Sequence, residues 1–189
     1  ALADLYFAPT DTTRDNLLRE GVKPERIVVT GNSVIDALLL IRDRVRGRSV
    51  EHLTGPLNGK RLILVTSHRR ESFGDPFANT CRALRTLAER YRDSAHIVYP
   101  VHLNPNIQQP ARELLGGLPN LTLTDPVDYE TIVALMDQSY MILTDSGGIQ
   151  EEVPHLGVPL LVPRSCTERP EGVATGFVRL VDVERDAIV

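Results

Sequence analysis

From Arg61 onward, short apolar runs alternate with segments whose apolar residues recur at helical spacing. The runs are Leu62–Thr66, His96–Val101, Leu121–Thr124, Met141–Thr144, Pro159–Val162 and Gly176–Val181. The helical readings between them are Pro76–Tyr91, Pro105–Leu115, Tyr129–Gln138 and Gly148–His155, then a short helix after Pro170 and another from Val183. Apolar runs separated by helices read as strands that pair in parallel and are covered on both faces. The alternation therefore predicts an α/β fold, a Rossmann-like parallel sheet with helices on both faces.

Upstream, the same reading gives a strand at Leu5–Ala8, a helix from Thr10 or Asp11 to Glu20 closed by Gly21, a strand at Arg26–Thr30 and a helix from Val34 to Arg44. Between Arg46 and Lys60 the chain is polar and turn-rich, with Gly47, Gly55, Pro56 and Gly59. This predicts three regions: 1–45 as the C-terminal part of a first Rossmann-like domain, 46–60 as a linker, and 61–189 as a second domain. The first residue is Ala1, and Val189 falls inside a helical reading, so both ends read as cut and a fragment of a longer protein is expected.

Composition narrows the function. The formal net charge of −4 argues against a nucleic-acid surface, and no apolar run reaches the length of a membrane span. Only Lys23 and Lys60 are lysines, so the cations are almost all arginines, which suit bidentate contacts to phosphate or carboxylate. The two cysteines, Cys81 and Cys166, lack metal-ligand spacing, and a reducing, cytoplasmic setting is expected. Cys81 falls on the apolar stripe Phe77, Cys81, Leu84, Ala88, Tyr91, and reads as core.

In open α/β sheets, ligands bind beyond the carboxyl ends of the strands. The residues there are Ser67-His68-Arg69-Arg70-Glu71, His102 with Asn104, Asp125 with Asp128, Asp145-Ser146-Gly147-Gly148, and Arg164 with Thr167, Glu168 and Arg169. Two glycines at a strand-to-helix turn let a ligand approach the backbone, and the free N–H groups and helix dipole there favour an anion such as phosphate. Glu152 lies about a turn and a half further on and can face the same crevice. No third glycine completes a dinucleotide fingerprint, and Ser146 also fits a simple N-cap. His68 reads as a ligand contact or proton-transfer partner, because histidine titrates near neutral pH. His52 and His155 read as surface and His96 as structural. Neither a nucleophile elbow nor a P-loop is present.

These residues resemble the UDP-N-acetylglucosamine 2-epimerase family of the non-hydrolysing bacterial type. The likeness runs through Gly31–Asp36, Thr66–Gly74, Tyr99–Pro105, Leu143–Glu152 and Thr167–Glu171. It implies half of a GT-B-like two-domain architecture. Ser146, Gly147 and Gly148 would hold phosphate, Glu152 the ribose hydroxyls, and Arg169 and His68 the diphosphate region, with His68 the catalytic candidate. Arg69 and His102 match positions that bind a second, allosteric UDP-sugar. The implied reaction interconverts UDP-N-acetylglucosamine and UDP-N-acetylmannosamine by eliminating UDP, through a glycal, and adding it back. No cofactor and no metal are implied. The implied partners are UDP-N-acetylglucosamine or UDP and, at full length, a homodimer mate, with no nucleic acid and no membrane. The family's acid–base residues are expected upstream, so the fragment alone is expected to be inactive. Val127 and Ile132 depart from a Gln and a Phe near the uracil, and Ser165 and Cys166 from an Asp and a Thr. A GT-B glycosyltransferase half and a non-catalytic nucleotide-sugar module remain alternatives.

Overall fold

The computed structural model describes residues 3–69, 73–182 and 184–189. Arg70, Glu71 and Ser72 of the His68 motif lie outside the described residues, as does Val183, where the last helix was expected to begin. The chain divides into two compact units, residues 1–40 and 41–189.

In the first unit, β1 (Tyr6–Ala8) pairs in parallel with β2 (Ile27–Val29). Helix α1 (Asp11–Arg19) lies between them in the chain. Thr10 caps it by accepting from the Thr13 N–H at 3.1 Å. The cap is worth about 1 kcal/mol, and it fixes where the helix starts. Helix α2 (Ser33–Val45) follows. The turn-rich stretch after it, which belongs to the second unit, is not bare chain: it holds the short helix α3 (Glu51–Thr54), with Val50 and Thr54 buried.

The second unit is a six-stranded sheet in the order β5-β4-β3-β6-β7-β8, all parallel. Its strands are β3 (Arg61–Thr66), β4 (Ala95–Pro100), β5 (Leu121–Thr124), β6 (Met141–Thr144), β7 (Leu160–Pro163) and β8 (Val178–Val181). The helices are α4 (Asp75–Arg90), α5 (Pro105–Leu115), α6 (Tyr129–Gln138), α7 (Gly147–Glu152), α8 (Pro170–Ala174) and α9 (Arg185–Ile188). A 3-10 turn over Val153–Leu156 completes the segment expected as one helix to His155, because Pro154 removes a backbone donor.

Successive strand residues point to opposite faces, so a buried parallel strand feeds two cores. Ile63 and Val65 of β3 join the cluster formed by Phe77, Cys81, Ile107, Leu115 and Ile188 from α4, α5 and α9. Leu62 and Leu64 alternate with them and are also buried, on the side where α6 packs on β3. Phe77, Cys81, Leu84 and Ala88 line the buried face of α4, but Tyr91 is 41% exposed. Tyr91 is the residue that caps the helix, where the 3.6-residue register no longer holds, and the Arg90 guanidinium stands over its ring. Burial pushes the Cys81 thiol up to about 12, so it behaves as a small apolar side chain. His96 is buried, with Nε2 2.9 Å from the Thr122 hydroxyl, as a structural histidine should be.

The strand order positions the site. From β3 the chain builds outward through β4 and β5, then returns to lay β6 on the other side of β3. The switch point therefore falls between β3 and β6, and the crevice at their carboxyl ends is where α/β sheets of this kind receive ligands.

Candidate functional site

Two loops face each other across the switch point: Ser67-His68-Arg69 after β3, and Asp145-Ser146-Gly147 after β6. Asp145, fully buried, joins them. Its carboxylate accepts from the Ser67 hydroxyl at 2.7 Å, from the His68 N–H at 3.0 Å and from the Arg69 N–H at 3.1 Å. Its own N–H donates to the Thr66 carbonyl at 3.2 Å. The Tyr99 hydroxyl, buried under the same loop, donates to the Ser67 carbonyl at 2.8 Å. Burial and nearby negative charge push that phenol well above its ordinary range, so it stays a proton donor. The Thr66 and Thr144 hydroxyls lie 2.6 Å apart, and Thr144 accepts from the Ser146 N–H at 3.0 Å. The backbone of both loops is thus fixed by buried polar groups that satisfy one another.

On this scaffold the His68 side chain stands 44% exposed, its Nδ1 3.8 Å from Asp145 Oδ1. Its ring stacks on that of His102, from the loop after β4, with centroids 5.6 Å apart and an interplanar angle of 15°. His102 Nδ1 accepts from the Asn104 N–H at 3.1 Å, which orients the ring. The structure therefore brings together two histidines that the sequence reading assigned to separate ligands.

Ser146 is the N-cap of α7 but its side chain makes no capping bond. The two glycines are not there for a left-handed backbone, since neither has positive φ. At Gly147 the space is tight. A Cβ on it would sit 3.0 Å from Glu168 Oε1 and 3.1 Å from Arg69 Nη2. Gly148 is open, its nearest neighbour being the Ser146 hydroxyl at 4.0 Å. Over this turn Arg69 forms an ion pair with Glu168, which also accepts from Arg164 at 2.6 Å. Burial pushes the Glu168 carboxyl up, but its own backbone N–H and the two guanidinium groups outweigh that and hold it at about 2. Arg169 pairs with Glu151 at the far side of the same loop.

Glu152, the last residue of α7, is buried, and the Tyr129 hydroxyl donates to its Oε1 at 2.9 Å. Burial pushes its carboxyl up, the Tyr129 bond draws it down, and the charge of Glu151 pushes it up again. A buried carboxylate held by one neutral donor retains acceptor capacity.

The sequence reading gave no role to Asp145, Tyr129, Gln150 or Glu168. Gln150 is buried and accepts from the Thr167 hydroxyl at 2.5 Å, so it ties the loop after β7 to α7. An Asp at the end of an apolar strand was the one local signal available, and it does not reveal its partners. Among the described residues no group of three His, Cys, Asp or Glu side chains could hold a metal ion. No helix among them is long and apolar enough to cross a membrane.

The parallel sheet, its switch point and the polar loops gathered there define an α/β protein of Rossmann-like class. Residues 1–189 match the family described as UDP-N-acetylglucosamine 2-epimerase, and the chain belongs to that family. It is 51% identical to the UDP-N-acetylglucosamine 2-epimerase of Escherichia coli K12, covering 100% of this chain and 51% of that protein. The Campylobacter jejuni UDP-N-acetylglucosamine 2-epimerase is 45% identical, with 100% and 51% covered. The crystal structure of the Neisseria meningitidis UDP-GlcNAc 2-epimerase bound to UDP-GlcNAc superposes with a TM-score of 0.91 at 41% identity, over 99% of this chain and 52% of that one. The chain spans about half the length of the curated relatives it matches.

Proposed function

We propose that the second unit binds the UDP of a UDP-sugar and is the nucleotide-holding half of a UDP-N-acetylglucosamine 2-epimerase. In the reaction, the C2 proton is lost as the C1–O bond to UDP breaks, leaving a glycal. UDP then returns to C1 while a proton is delivered to the other face of C2. The observation that carries the reading is the switch-point crevice itself. There the open turn at Ser146 to Gly148 and the His68 loop are locked across β3 and β6 by Asp145. In this reading Ser146, Gly147 and Gly148 hold phosphate, Glu152 the ribose hydroxyls, and Arg169 and His68 the diphosphate. Arg69 and His102 meet a second UDP-sugar. That Arg69 lies against Gly147, and His102 against His68, makes the two ligands neighbours in this proposal. A cytoplasmic, homodimeric enzyme that makes no nucleic-acid contact belongs to the same proposal. So does a domain layout with a linker at 46–60. The decisive assay is formation of UDP-N-acetylmannosamine from UDP-N-acetylglucosamine by a protein containing this chain. Its absence from a folded protein that binds UDP overturns the epimerase reading.

Glu152→Gln separates binding from folding. Hydrogen bonds to a charged acceptor are worth about 1.5–3 kcal/mol, so UDP affinity should fall by about 10- to 150-fold. The effect on the melting temperature should depend on pH. The Glu152 pKa is raised by folding, so its favourable contribution is present below the ordinary value of 4.5 and is lost as pH rises through the folded value. Above the folded value the wild type carries a buried charge that glutamine lacks, so the variant should gain on the wild type as pH rises to 7, with the gap closing toward pH 4. Calorimetric titration and melting curves at both pH values check this; unchanged UDP binding would make Glu152 purely structural.

A further inference from the structure

Tyr129 opens α6 and Glu152 ends α7, and their side chains meet through a single hydrogen bond of 2.9 Å. Tyr129 is 40% exposed, so its hydroxyl could be hydrated; instead it points at a buried carboxylate. Among the described residues it is the one side-chain partner Glu152 has. Oε1 is thereby taken, while Oε2 accepts from no side chain among the described residues and is not sealed from solvent, so its lone pairs stay open to donors that a ligand brings. A vicinal diol supplies two such hydroxyl donors. Resting on the reading of Glu152 as the ribose contact, we propose that Tyr129 is a positioning residue that pins Oε1, presents Oε2 to the ligand, and so makes the site select an intact ribose 2′,3′-diol.

A competing arrangement has the Tyr129 hydroxyl as a placeholder that the ribose displaces. The two give opposite results in Tyr129→Phe. If Tyr129 positions the carboxylate, UDP affinity falls by about tenfold, while affinity for 2′-deoxy-UDP changes by less than about twofold, so discrimination between the two shrinks. A placeholder predicts UDP binding that is unchanged or tighter. In a Glu152→Ala background, Tyr129→Phe should alter UDP affinity by less than about twofold, because the residues act as one unit. Tyr129→His, whose ring N–H can donate, should recover much of the discrimination, and it decides the matter if the Phe variant melts abnormally. Calorimetric titration of the five proteins with UDP and 2′-deoxy-UDP reads all of this. Wild type that fails to prefer UDP overturns the ribose role of Glu152, and the positioning role with it. Wild type that discriminates, with a Phe variant that discriminates equally well or an equal loss in both backgrounds, overturns the positioning role alone.

Discussion

Asp145→Ala should destabilise the second unit by about 4 kcal/mol, because it takes the acceptor from three donors that lock the loop after β3. The Ser67 hydroxyl and the N–H groups of His68 and Arg69 all converge on a carboxylate that is fully buried. Each buried donor left unpaired costs about 1–3 kcal/mol, and the three losses overlap because the loop can relax. For a chain of this size, about 4 kcal/mol lowers the melting temperature by roughly 8–16 °C. Asp145→Asn keeps the volume but turns an amide N–H₂ toward donors, so it should recover only part of the loss. Thermal and urea melts of both variants check the expectation. A drop of less than a few degrees for Asp145→Ala would mean that the loop after β3 is held by something other than this carboxylate.

His68→Ala should cost an active epimerase containing this chain about two to three orders of magnitude in kcat, with little change in melting temperature. Removing one preorganised donor from a developing negative charge typically costs that much. The structure favours a local effect. His68 is anchored through its backbone N–H to Asp145, which alanine retains, and its ring is half-exposed, so its loss leaves no cavity. The ring also stacks on His102, so the variant should loosen His102 and reduce any response to a second UDP-sugar. Initial rates with UDP-N-acetylmannosamine as substrate, with and without added UDP-N-acetylglucosamine, separate the two effects. Turnover within a few-fold of wild type would remove His68 from the leaving-group site.

Much of the fold follows from local pattern. The boundaries of α5, β5, α6 and β6 read from periodicity coincide with those of the structure. Their signals are strong: Asn104 and Asp128 are caps whose side chains accept from Asn106 and Thr131, β6 opens on the apolar run Met141–Leu143, and β5 alternates leucine with β-branched threonine. Where several local rules agree, a segment has little choice of conformation. The turn at Gly147-Gly148 was legible for a related reason, since a glycine pair between a strand and a helix marks close backbone approach. The reason for the closeness was not legible: the Arg69–Glu168 pair occupies the space beside Gly147.

By itself, then, the sequence determined the kinds of element, their order, the parallel class of the sheet and the motifs that join the chain to its family. Each of those depends on residues a few positions apart, through the two-residue period of strands and the 3.6-residue period of helices. Tertiary structure alone decided which strands are neighbours, and hence that the crevice opens between β3 and β6. It also decided the partners of the polar groups there. Asp145 meets Ser67 across 78 positions of sequence, Glu168 meets Arg69 across 99, and Glu152 meets Tyr129 across 23. No local preference encodes such pairs. They form because packing the helices onto both faces of the sheet brings distant segments together and takes Asp145 and Glu152 out of water, and a buried acceptor is stable only when a donor is brought to meet it.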